Sequence, residues 1–218
     1  MIMLHYNAMK KRFFTIFACI VMAGTVFAAP VKKSTASKSA GVALDTVRTT
    51  LDDGRVARMY TVKKGTDVRE GVALSYHPNG KLAVEAPYKD GKLDGVFRSF
   101  DENGKLHETI GYLDGEEEGF SILYYENGKK KSRETYRQGI LNGMSEEWDE
   151  NGKLIRQIPY ENGQIHGVVK IYDDMGKVQE DMNFVHGIRN GTYHRYTFGK
   201  VTLEAEFKDD RCVKNCNF

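Results

Sequence analysis

"DENGKLHETIGYLDGEEEG" occupies residues 101–119, and nearly the same phrase returns as "YENGKKKSRETYRQGILNG" at 125–143 and "DENGKLIRQIPYENGQIHG" at 149–167. Each copy begins 24 residues after the one before. Glycines keep that beat at Gly80, Gly104, Gly128, Gly152 and Gly176, then one residue early at Gly199. A second set falls at Gly91, Gly115, Gly139, Gly163 and Gly187, and a third runs from Gly71 and Gly95 to Gly191. Two aromatic series do the same. One is Tyr76, Phe100, Tyr124, Trp148, Tyr172 and Tyr196; the other is Tyr88, Tyr112, Tyr136, Tyr160, Phe184 and Phe207.

A fixed period of this size marks stacked supersecondary units, each too short to hold a core alone. A degraded earlier copy is visible in "DDGRVARMYTVKKG" at 52–65, where Val62 stands at the aromatic position. The sequence therefore divides into a segment 1–28, a linker 29–46, a degenerate first repeat 47–70, six hairpin repeats over 71–213 and a tail 214–218.

Pairing parity says what one unit is. A three-residue loop at Glu102-Asn103-Gly104, with Gly104 left-handed, sets Phe100 opposite Leu106 and predicts Phe100, Leu106, Ile110 and Tyr112 on one side. The same loop at Lys89-Asp90-Gly91 sets Val84 opposite Val96 and keeps Tyr88 on that side. An even period then shows the same residues to the same face in every unit, because strand side chains alternate with period 2. Where Gly199 comes early, a two-residue loop at Phe198-Gly199 still sets Tyr196 opposite Val201. Gly95 and its equivalents fall inside a strand, where glycine weakens pairing unless room is needed, so a bulge or an aromatic ring packed over them is predicted there. The fold class that follows is all-β: an elongated, curved antiparallel β-solenoid of stacked 24-residue hairpins, since a sheet of this many strands twists and curls.

The pattern "GxxxxYxxNGKLxxxxxYxxGxxxG" over residues 71–213 resembles the variant MORN repeat, as found in bacterial proteins of the YwqK-type antitoxin family. The resemblance implies stacked β-hairpins, no catalytic centre, a role in binding other molecules and, for the YwqK-type group, an antitoxin or immunity-like role.

Lys10, Lys11 and Arg12 precede an apolar run from Phe13 to Phe27 that ends in small residues before Pro30, the layout of a secretory signal peptide cleaved after Ala28. Removing 1–28 leaves 29 basic against 30 acidic residues, a net charge of −1. A chain without a basic surplus does not neutralise phosphates, so nucleic acid is not an expected partner. Export, to the periplasm, envelope or exterior, places Cys212 and Cys216 in an oxidising compartment. That pair offers a disulfide capping the last strand, two free thiols or a metal site.

The lysines after the tip glycines, such as Lys81, Lys105 and Lys129, offer either a ladder for an anionic ligand or ordinary solvation of the tips. The five histidines from His77 to His194 share no repeat position and read as surface residues. No Ser sits in a G-x-S-x-G elbow and no metal-type spacing occurs, so neither enzymatic activity nor a cofactor is expected. Departures from the repeat mark specificity. Leu106 becomes Lys130 and Ile110 becomes Glu134 on an otherwise apolar face, so Lys130, Glu134 and nearby Trp148 are the candidate binding residues. The expected function is binding or scaffolding of a protein partner. Attachment to a lipid or polysaccharide surface through exposed aromatics such as Trp148 and Tyr172 is the alternative.

Overall fold

The computed structural model describes residues 34–35 and 42–216; the expected signal peptide, most of the linker and residues 217–218 lie outside the described residues. Within them there is no helix, and so none long and apolar enough to cross a membrane. Nineteen strand segments form one antiparallel sheet. Ser34–Thr35 pairs with Leu44–Thr50, which pairs in turn with Val56–Lys63, so pairing begins inside the stretch assigned to the linker. Hairpins then follow in chain order: Gly71–Tyr76 with Leu82–Lys89, Gly95–Phe100 with Leu106–Leu113, and Glu116–Tyr124 with Lys130–Arg137. Three more complete the row: Gly143–Trp148 with Leu154–Glu161, Gly167–Tyr172 with Val178–Val185, and Ile188–Thr197 with Lys200–Lys208.

The tips form as the glycine spacing requires. Gly104 has φ +83°, its N–H donates to the Asp101 carbonyl at 2.9 Å, and the Asp101 N–H donates to the Lys105 carbonyl at 2.9 Å. Phe100 lies opposite Leu106. In the shortened unit Tyr196 lies opposite Val201 across Phe198-Gly199.

The other turn is shorter than its expected three residues. Asp90 and Gly91 have φ of 51° and 82°, the paired positive values of a type I′ turn, and Tyr88 faces Leu93. Gly95, at φ +116°, then bulges and takes up two residues, so Val84 faces Ser99 and not Val96. The same bulge recurs at Gly143, Gly167 and Gly191, with φ of 123°, 109° and 115°. The ring beside Gly95 is not aromatic: a Cβ there would stand 3.1 Å from the Pro87 pyrrolidine.

This register decides what packs. Ala86, Ile110, Ile158, Met182 and Ala205 repeat along the ribbon and are buried, opposite Ala73, Phe97, Ser145, Val169 and Tyr193. The series from Tyr88 to Phe207 lies two residues on and packs against them, as Tyr88 and Tyr112 do around Ile110. Burying a side chain such as Ile110 contributes about 2 kcal/mol. Phe100 is three residues from buried Phe97 on one strand, so the series Tyr76 to Tyr196 lies on the opposite face. Phe100 and Ile110 therefore do not share a side. The bulge between Ser99 and Phe100 shifts the register and parts them.

The tips are stitched from tile to tile. Lys81, Lys105 and Lys129 donate through Nζ to the carbonyls of Asn103, Glu126 and Asn151 at 2.9, 2.7 and 2.8 Å. These lysines join neighbouring turns. Where a tip begins with aspartate, as at Asp101 and Asp149, Oδ1 accepts from the two N–H groups ahead of it. Where it begins with His77 or Tyr125, the ring instead reaches the next tile, to the carbonyls of Phe100 and Trp148 at 2.9 and 2.8 Å.

Candidate functional site

The packed face has one acidic interruption. Glu134 holds the place of Ile110 and Ile158, opposite Ser121, which in turn faces Ile110. Glu108 stands two residues before Ile110, and Glu117 pairs with Tyr112. Elsewhere on this face charges are matched: Arg156 meets Glu147 at 2.6 Å and Arg195 meets Glu180 at 3.2 Å. Glu108, Glu117 and Glu134 have no basic partner within salt-bridge distance among the described residues. Glu134 accepts a hydrogen bond from the Tyr136 hydroxyl at 2.9 Å.

Electrostatics follow from that arrangement. Burial first, then the carboxylates of Glu117 and Glu134, push the Glu108 carboxyl above its ordinary value. Burial and Glu134 raise Glu117 likewise. Burial and the same acids push the Tyr112 hydroxyl up to about 12 and raise that of Tyr136. No group of three or more metal-type side chains gathers among the described residues.

The opposite face carries a row the repeat pattern did not assign. Val72, Val96, Phe120, Met144 and Val168 recur one per unit and are 46%, 44%, 51%, 38% and 42% exposed. They stand about 10 Å apart, two strand spacings. Pro87 and Pro159 face Val72 and Met144 across the ladder, and Arg133 lies over the Phe120 ring at 5.0 Å. The signal that finds this row is the Asp90-Gly91 pair. Read as a type I′ turn, it frees Val96 from the packed face.

The three candidate binding residues are not brought together. Glu134 lies on the packed face. Lys130 is exposed at the tip end of its strand, opposite Tyr124. Trp148 belongs to the aromatic series of the other face and is half-buried. Near Lys130 a concavity of about 870 Å³ opens at the tips, lined by Asp101, Lys105, His107, Tyr124, Tyr125 and Lys131 among others. The Lys131 ammonium sits 5.5 Å from the Tyr125 ring centre. His194 is held by Asp181 at 2.7 Å, so it is not simply a surface residue. Cys212 and Cys216 form a disulfide, with Sγ–Sγ 2.10 Å and Cα–Cα 5.8 Å.

Among known families, the MORN repeat variant matches residues 69–90, 93–114, 113–138, 141–162 and 165–186, just over half of the chain. These segments lie in the first five of the six hairpins. No curated protein matches the chain.

Proposed function

The chain belongs to the MORN repeat variant family, and on that premise we propose that it is a non-catalytic scaffold binding a protein partner in the cell envelope or outside the cell. The row from Val72 to Val168 carries this reading. An apolar line running unbroken through five units is costly to leave in water, and contiguous exposed apolar surface marks interaction sites. Export is supported by the signal-peptide layout of residues 1–28.

Attachment to lipid or polysaccharide through Trp148 and Tyr172 is the weaker reading. Both side chains are half-buried, and the Tyr172 hydroxyl already donates to Gln157 at 2.5 Å. The antitoxin-like role that the YwqK-type resemblance implies is a narrower form of partner binding, supported only if the captured protein is a toxin.

Affinity capture from the producing cell with full-length bait tests the proposal. One stoichiometric protein is expected, and it is lost when the bait carries Phe120→Ser and Met144→Ser. Repeated recovery of nothing specific, or of the same protein with both baits, ends the reading.

A further inference from the structure

Among the described residues, the last hairpin leaves part of its outer strand without a neighbour. Inside the ribbon the second strand of a unit is flanked on both edges: Leu82–Lys89 pairs with Gly71–Tyr76 on one side and, through Val84 and Glu85, with Ser99 and Arg98 on the other. Lys200–Lys208 is paired along its inner edge with Ile188–Thr197. On its outer edge, among the described residues, only Glu206, Phe207 and Lys208 have partners, supplied by Arg211–Lys214. Cys212 faces Phe207 as Leu93 faces Tyr88, but its disulfide to Cys216 turns the chain back where internal units run on into a strand like Gly95–Phe100. Lys200–Ala205 is left as an open edge, the kind of surface that takes an added strand.

Two observations say what would fit it. In three internal units the cross-tile pair on the face opposite the packed one matches charge, Glu85 with Arg98 at 3.2 Å, Arg133 with Glu146 at 2.5 Å and Asp181 with His194 at 2.7 Å, whereas Thr109 faces Ile122 and Gln157 faces Lys170 in the other two. Glu204 holds the place of Glu85. Its side chain is 56% exposed, with His194 at 3.9 Å on the inner side and no described residue on the outer. Across the adjoining turn Phe198 is 90% exposed and Val201 49% exposed, so the tip end of the same edge is apolar.

We propose that the Lys200–Ala205 edge takes an extended segment of a partner protein as an added antiparallel strand. The segment carries a basic residue opposite Glu204 and an apolar one against Phe198 and Val201. The apolar row of the sheet face plays no part in this site, so either can fail without the other.

A synthetic peptide copying Lys92–Asp101, which supplies Arg98 to Glu85 inside the chain, is a suitable probe. Added to the full-length protein, it slows amide exchange at 200–205 and nowhere else. Glu204→Lys weakens binding about tenfold, as expected when a matched cross-strand pair becomes a like-charged one. The same peptide with Arg98→Glu regains affinity for that variant. The proposal is overturned by no slowing at millimolar peptide, by protection elsewhere on the sheet, or by a charge reversal without rescue. Self-association through this edge in sedimentation, abolishing peptide binding, would assign it to a second copy and overturn it too.

Discussion

The Tyr136 hydroxyl donates to the Glu134 carboxylate at 2.9 Å, two residues apart on one strand, at the one place where the buried series of the packed face turns acidic. The bond keeps a buried hydroxyl partnered, while Glu134 faces Glu108 and Glu117 with no cation to offset them. Making this place apolar without leaving a polar group unmatched therefore needs both changes. Glu134→Ile alone leaves the Tyr136 hydroxyl unmatched, and Tyr136→Phe alone leaves the carboxylate so. Removing both partners together avoids either penalty. The double variant is expected to gain about 1 kcal/mol over the natural chain in urea unfolding, and to exceed both single variants.

Acidification should first strengthen the fold and then weaken it. Glu108 and Glu117 have folded-state values raised above 4.5, so the folded chain binds more protons than the unfolded one between the two values, and ionising these groups destabilises it as pH rises through the raised value. Asp101 and Asp149 are held below 3.8, first by the backbone N–H groups of Lys105 and Lys153; their contribution is full above 3.8 and is lost as pH falls below it. The urea midpoint is expected to rise from pH 7 toward 4.5 and to drop below 3.8. Glu108→Gln with Glu117→Gln abolishes the rise and leaves the drop.

Phe198 takes φ +51° at the first position of a type I′ turn, the position that the two-residue turns at the other end of the hairpins give to Asp90, Asp114 or Asn162. Asparagine and aspartate tolerate that conformation, and a bulky ring does not. At 90% exposure the ring gains nothing from packing. Phe198→Asn should raise stability by roughly 0.5–1 kcal/mol, seen as a higher melting temperature. It should also weaken capture of an added strand, a trade of stability for recognition.

The hairpin row was legible because its signals are local and repeated. Gly104 in the left-handed region fixes one turn, and six copies of that turn fix the tiling. What parity alone misplaced was Val96. A three-residue turn at Lys89-Asp90-Gly91 and a two-residue turn followed by a bulge both give an even period, and only the second leaves Val96 exposed. The aromatic series were visible as series, but their sides depend on the bulge after Ser99, which shifts the register without altering the period. Glu134 was legible as a departure from the repeat. Its neighbours Glu108 and Glu117 were not, because they lie on other strands and meet it only once the register is known.

The bulges give the sharpest test of the register. Gly119 and Gly143 occupy the same repeat position, both with positive φ, but a Cβ on Gly119 meets nothing within 4 Å, whereas one on Gly143 meets Thr135 at 3.0 Å. Their backbones differ as well: φ is +84° at Gly119 and +123° at Gly143, the latter outside the left-handed well that a side chain can enter. Gly119→Ala is expected to cost about 1 kcal/mol from conformation alone. Gly143→Ala should cost about 2–3 kcal/mol, because strain and contact with a β-branched neighbour on the adjoining strand add. Urea unfolding of the two variants decides it. Equal losses would mean that Gly143 does not bulge toward Thr135 and that the two-residue shift there is made as at Gly119, without a close contact.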